Sequence, residues 1–253
     1  MSNARTLASY ASNFPSFRNR IINGNLSNPI NQRGAALTAS SGYTYDRWYY
    51  DGSTYLYQGI EDKNVNNGTY VISWAGAGIN AAWKVSTDTT AGNGPDATTG
   101  FTSVSNGGTF TVNEVTEYSK HLWIRFDGTL ANLNKVQVEE GTVATPFEHR
   151  PYGTELALCQ RYYATSESGY QLAVDIQDAS FPSTNFPVTM RTSPTATVYA
   201  ASDATANTMS RYGGTKCNVS SVYSYPNGIR LIQHDSESDG QSWGYRWTAD
   251  AEL

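Results

Sequence analysis

Basic residues are scarce in this 253-residue sequence, where 17 lysines and arginines stand against 22 acids for a formal charge of −5. Such a balance offers no attraction to nucleic-acid phosphates or anionic lipid, so neither is expected as a partner. Cysteine is scarcer still. Cys159 and Cys217 are the only two, too few for a disulfide scaffold or a cysteine zinc site, and they are predicted to be buried thiols, since cysteine packs as a small apolar residue. No run of about 18 apolar residues exists to span a bilayer, and Met1 to Arg20 contains no secretory core, so synthesis in a cytoplasm is expected. His121, His149 and His234 occur singly, with no HExxH, GxSxG or Cys/His spacing around them, so no catalytic set, metal centre or cofactor is predicted. Only 15% of residues are charged, too few for helical bundles.

What remains is rich in Gly, Tyr, Ser, Thr and Asn, the mixture of short strands joined by many turns. Residues 1–16 are small and polar, end near Pro15 and read as a docking arm. From Phe17 onward, apolar residues alternate: Tyr70, Ile72 and Trp74; Phe110 and Val112; Leu122, Ile124 and Phe126; Val136 and Val138. Period two predicts half-buried antiparallel strands. Turn clusters separate them at 66–68, 93–95 and 106–108, where Asn and Gly tolerate positive φ. Pro151-Tyr152-Gly153 marks a boundary, and residues 155–163 form the best helical segment, about two turns long. Alternation then resumes through Tyr170 to Ile176, Phe186 to Met190, Thr195 to Tyr199, Ile229 and Leu231, and Trp243 to Ala249. The prediction is an all-β protein: a first β domain over 17–152, a short helical link, and a small antiparallel β-sandwich over 153–253.

Particular words in the sequence add to that pattern. Residues 18–25 (RNRIINGN), 31–34 (NQRG) and 43–48 (YTYDRW) resemble the opening of a domain common in bacteriophage tail-fibre and related virion proteins. YVISWAGAG at 70–78 looks like its central strand. VQVEEGTVATPFEHRPYGTELALCQRYY at 136–163 is similar to its closing strand and helical link, and FPVTMRTSPTATVY and the final WTADAEL resemble the domain that follows it. The resemblance implies a jelly roll of the carbohydrate-binding or galactose-binding-like type, a place in the virion, and assembly as a homo-oligomer, most often a trimer. It transfers no ligand.

Candidate sites come from residue chemistry. Sugars stack their apolar faces on aromatic rings and need little net charge. Tyr43, Tyr45, Trp48 and Tyr50 crowd one stretch, and Trp243, Tyr245 and Trp247 share one face of a strand. That face is core if it points inward and a stripe for a glycan or partner if it points outward. The same alternatives hold for Tyr162, Tyr163, Tyr223 and Tyr225. Asp46-Arg47-Trp48 suits pinning a strand by a bidentate ion pair, and Glu139, Glu140, Glu148, His149 and Arg150 suit charge pairs that fix the inter-domain link. Asp235, Glu237 and Asp239 occupy alternate positions like half a calcium loop, but Arg246 stands where an EF-hand needs Glu, so a solvated hairpin is the default. Three functions stay open: host-surface recognition by non-covalent binding of a glycan or receptor, an adaptor joined to other tail proteins through the arm, and a polysaccharide depolymerase whose distant carboxylates sequence cannot pair.

Overall fold

The computed structural model describes residues 17–86, 99–113, 120–166, 171–174, 183–203, 205–211, 215–233 and 242–253. The expected arm at 1–16, the turn at 93–95 and the acidic loop with Asp235, Glu237 and Asp239 lie outside the described residues. Among the described residues the fold is all-β, with antiparallel pairing throughout and one short α-helix.

The first lobe comprises β1 (Gly42–Tyr43), β2 (Tyr49–Tyr50), β3 (Leu56–Ile60), β4 (Gly68–Ala75), β5 (Ile79–Ser86), β6 (Thr102–Val104), β7 (Thr109–Val112), β8 (His121–Gly128) and β9 (Asn134–Glu140). A six-stranded sheet runs β1-β2-β3-β8-β5-β6 and a three-stranded sheet runs β7-β4-β9. The pairs β3 with β8, β4 with β7 and β5 with β6 are nested. One long hairpin has therefore rolled up, with β3, β8, β5 and β6 in one layer and β4 and β7 in the other, as in a jelly roll. Tyr70, Ile72, Trp74, Phe110, Val112, Leu122, Ile124, Phe126, Val136 and Val138 all enter the core between the sheets, as the period-two reading predicts.

The opening motif of this lobe is a bracket for β9. Arg20 N–H donates to the Val138 carbonyl at 2.7 Å and Val136 N–H to the Gly24 carbonyl at 2.9 Å. Between those points the Asn19 side chain substitutes for a strand partner, donating to the Val136 carbonyl and accepting from Val138 N–H, both at 3.0 Å. Only glycine fits at position 24, because a Cβ there would sit 2.3 Å from the Val136 carbonyl oxygen.

Helix α1 (Tyr152–Gln160) leads into the second lobe, three residues earlier than the sequence suggests, because Pro151 opens a helix readily. Strands β10 (Tyr163–Thr165), β11 (Gln171–Val174), β12 (Ser183–Asn185), β13 (Thr195–Ala200), β14 (Thr208–Ser210), β15 (Lys216–Tyr225), β16 (Gly228–Gln233) and β17 (Ser242–Asp250) follow. They form one eight-stranded hydrogen-bonded network rather than two separate sheets. Two layers arise because β15 pairs β14 with its first half and β16 with its second, bending at an irregularity between Val219 and Ser221. Residues 186–190, read from sequence as a strand, are not one. Pro187 lacks a ladder donor, yet Phe186 and Met190 still reach the core, tied by N–H bonds to the Asn227 and Pro226 carbonyls.

Two main cores, one drawn from residues 21–138 and one from 164–251, meet across a seam that the end of the sequence fills. Leu253 packs on Tyr57 and Trp123 on the outer face of the six-stranded sheet. Gly59 makes the room: a Cβ there would stand 2.8 Å from the Leu253 side chain. Beside it, Arg47 ion-pairs with Glu252, both wholly buried. The Arg47 guanidinium also donates to the Gly59 carbonyl and lies 3.5 Å over the Tyr162 ring, while Glu252 accepts the Arg47 backbone N–H at 3.2 Å. The ion-pair partner of Arg47 is thus Glu252, 205 residues away, and it is met by one guanidinium nitrogen rather than by the bidentate fork expected from the sequence. Arg47 holds φ at +74°, a conformation costly for a residue with a side chain, and the ion pair offsets that cost.

Removing one partner of a buried pair leaves an uncompensated charge. Arg47→Ala should lower the unfolding free energy by about 3–5 kcal/mol, measured by urea denaturation, whereas alanine at exposed Glu140, whose pairing with Arg20 spans 3.9 Å, should cost under about 1 kcal/mol.

Candidate functional site

The aromatic residues named from sequence divide sharply by environment. Trp243, Tyr245 and Trp247 point inward and are 1%, 1% and 3% exposed, so they are walls of the second core and offer no platform to a ligand. β17 is the central strand of its layer, bounded by β10 and β11 on one side and by β13 and β14 on the other, and one of its faces must be core. Trp48 is equally buried, its indole N–H donating to the Asn23 carbonyl at 2.9 Å. Tyr45 and Tyr50 are half-buried against the first core. Tyr43 stands in the seam, where its hydroxyl donates to the Leu253 carbonyl at 2.8 Å. Tyr162 and Tyr163 are buried as well.

Around Tyr43 the seam is a closed electrostatic network. Arg33 reaches Asp250 at 2.9 Å and Glu252 at 3.5 Å, and its guanidinium is stacked 3.7 Å over the Tyr163 ring. Asp46 accepts from the Gln32 backbone and side chain at 3.1 and 2.6 Å, and the same Gln32 amide donates to the Tyr163 carbonyl at 2.9 Å. Glu61 meets Arg161 at 3.1 Å and Arg191 at 3.9 Å, and Arg191 also donates to the Ala251 and Glu252 carbonyls. Burial lowers the Arg47 pKa, but Glu252, Tyr162 and Tyr43 together outweigh that and hold the guanidinium firmly charged. Burial pushes the Asp46 carboxyl up to about 6, against the Gln32 hydrogen bonds and the Arg33 charge, with Glu252 pushing it further. These charges are paired within the seam, although the Arg33 Nε and Nη2 and the Arg47 Nε are buried without a hydrogen bond, and the network is structural.

The link charges behave likewise. Arg150 pairs with Glu155 at 3.1 Å and Glu148 at 3.5 Å and donates to the Asn19 and Ile21 carbonyls. Glu139 accepts the Thr145 backbone and side chain, both at 2.7 Å. Both cysteines are buried and outside any disulfide, and burial raises the Cys159 thiol well above its ordinary range. His121 is buried, its pKa lowered by burial and by the Arg191 charge. Among the described residues, no three His, Cys, Asp or Glu side chains converge on a common point.

One aromatic pair does face outward. Tyr223 and Tyr225 on β15 are each 49% exposed, whereas Val222 between them and the bend packs on the core. Directly opposed residues share a face. The register sets Arg230 against Tyr223 and Gly228 against Tyr225, with Ser183 and Asn185 of β12 opposite these in turn. The result is a platform of two rings flanked by a guanidinium, a hydroxyl and an amide, on a three-strand ladder whose other face is core. Gly228 places no cross-strand side chain beside Tyr225. Rings at alternate positions of a strand were visible in the sequence, but which side they face depends on the bend in β15, which no local pattern announces.

No protein-family model matches the chain, and no curated protein matches it.

A carboxyl whose folded pKa is raised contributes stability that is complete below its unfolded value and is lost as pH rises through the folded one. With Asp46 moving from 3.8 to about 6, the protein should gain stability as pH falls from 7 to 5. The urea midpoint measured across that range should rise in the parent and stay flatter in Asp46→Asn.

Proposed function

We propose that this protein is a bacteriophage tail-fibre-type virion component that recognises the host surface by non-covalent glycan binding, with no turnover. The observation that carries the reading is the outward Tyr223 and Tyr225 pair on a rigid ladder, with Arg230, Ser183 and Asn185 on the same face. Stacking on tyrosine combined with hydrogen bonds from planar polar groups is the chemistry by which sugars are held. The acidic balance of the chain agrees with a ligand recognised by shape and hydroxyl pattern rather than by charge. In this reading the molecule works as a homotrimer, joined to another tail protein through residues 1–16, and the resemblance of residues 18–48 and 136–163 to virion domains supports that setting.

The seam favours a second reading. Two lobes clamped by buried Arg47 and Glu252 form a stiff spacer, which is what an adaptor between fibre and tail needs. Binding to an array of bacterial envelope polysaccharides separates the two. The recognition reading predicts retention of at least one polysaccharide and about a tenfold or greater loss in the double variant Tyr223→Ala/Tyr225→Ala at unchanged melting temperature. Retention of none, or undiminished binding by the variant, would refute it, and a light-scattering mass of one 27.6 kDa chain would refute the trimer.

A further inference from the structure

A cleft of about 120 Å³ opens between the opening segment of the first lobe and the start of the helical link, far along the chain from the tyrosine platform. Its floor is fixed, with the Arg150 Nε 3.5 Å from Glu148 and in no hydrogen bond. Arg150 spends its donors on the Asn19 and Ile21 carbonyls and on Glu155, Glu155 accepts the Asn23 N–H, and the Asn23 side chain is committed to Ile30 and Asp46. Its rim is different. Tyr152 is 69% exposed, His149 is exposed with its ring edge-on to Phe147 at 4.9 Å, and Asn28 is exposed, its backbone N–H donating to the Asn25 carbonyl at 3.2 Å and its side-chain amide in no hydrogen bond among the described residues. A rigid polar floor, an uncovered phenol ring and two uncommitted hydrogen-bonding groups therefore surround one small space.

Charge narrows the ligand. The cleft holds one arginine against Glu148 and Glu155, and the arginine is already neutralised, so an anion would meet net repulsion at close range. Among the described residues, no third acid joins the two glutamates to make a cation site. Size narrows it further, because the space is well below the roughly 300–1,000 Å³ of pockets that bury drug-sized molecules. We propose that this cleft binds a single neutral sugar unit, a hexose or N-acetylhexosamine, which stacks on Tyr152 and exchanges hydrogen bonds with Asn28 and His149. The site is independent of the Tyr223 and Tyr225 face, and would serve to bind a glycan at a second point or to hold a branch of it.

The test is an NMR titration of the whole chain with the methyl glycosides of glucose, galactose and N-acetylglucosamine, and separately with glucuronate. At least one neutral glycoside should produce saturable shifts at Asn28, His149 and Tyr152 and bind more tightly than glucuronate. Tyr152→Ala, which alters an exposed side chain, should weaken that binding about tenfold, and Asn28→Ala should weaken it too, while Tyr223→Ala/Tyr225→Ala leaves it unchanged. Absence of saturable shifts with all three glycosides, equal or tighter binding of glucuronate, or undiminished affinity in Tyr152→Ala would overturn the proposal.

Discussion

Glu252 is a carboxylate with no access to water, and the arrangement of the two lobes follows from what neutralises it. Burying an ion costs several kcal/mol, recovered only when its partner and hydrogen bonds are well placed. Arg47 meets that demand from the far lobe. It must adopt a left-handed backbone to do so, and it is held by the Gly59 carbonyl and the Tyr162 ring. Arg33 closes the second flank of the carboxylate. Neither lobe completes this network alone, so the seam couples two folds that each have a core of their own.

Covering one face of a sheet decides which others can meet a partner. The outer side of the six-stranded sheet is occupied by Leu253 on Tyr57 and Trp123, and the outer side of β9 by the segment that carries Thr145 and Glu148. Among the described residues, the outward ladder of β15, β16 and β12 and the cleft beside the helical link stay open. Both are built on backbone fixed from behind, by core in one case and by Arg150 in the other. Little ordering entropy would then be lost on binding, which is the advantage of preorganisation.

Alternation in the sequence located most strands, because the first lobe is a sandwich whose inner positions recur every second residue. It misled where a strand is covered on both sides: Leu122, Ile124 and Phe126 read as one buried face, but Trp123 is buried as well, under a tail from the end of the chain. Gly59 and the apolar side chain at 123 were the available signals of that cover. The YTYDRW motif offered a charged pair, but the partner of Arg47, Glu252, lies beyond the last strand and is set by tertiary structure and by no spacing. Among the aromatics, residue type was legible and direction was not. Trp243, Tyr245 and Trp247 went to core because β17 is central in its layer, and Tyr223 and Tyr225 went outward because β15 bends.

Cooperativity of unfolding tests the coupling of the lobes most directly. Calorimetry of the intact chain should give a single transition whose calorimetric and van't Hoff enthalpies agree. Two separate transitions, or a calorimetric enthalpy about twice the van't Hoff value, would mean that the lobes unfold independently and that the buried pair at Arg47 and Glu252 does not unite them.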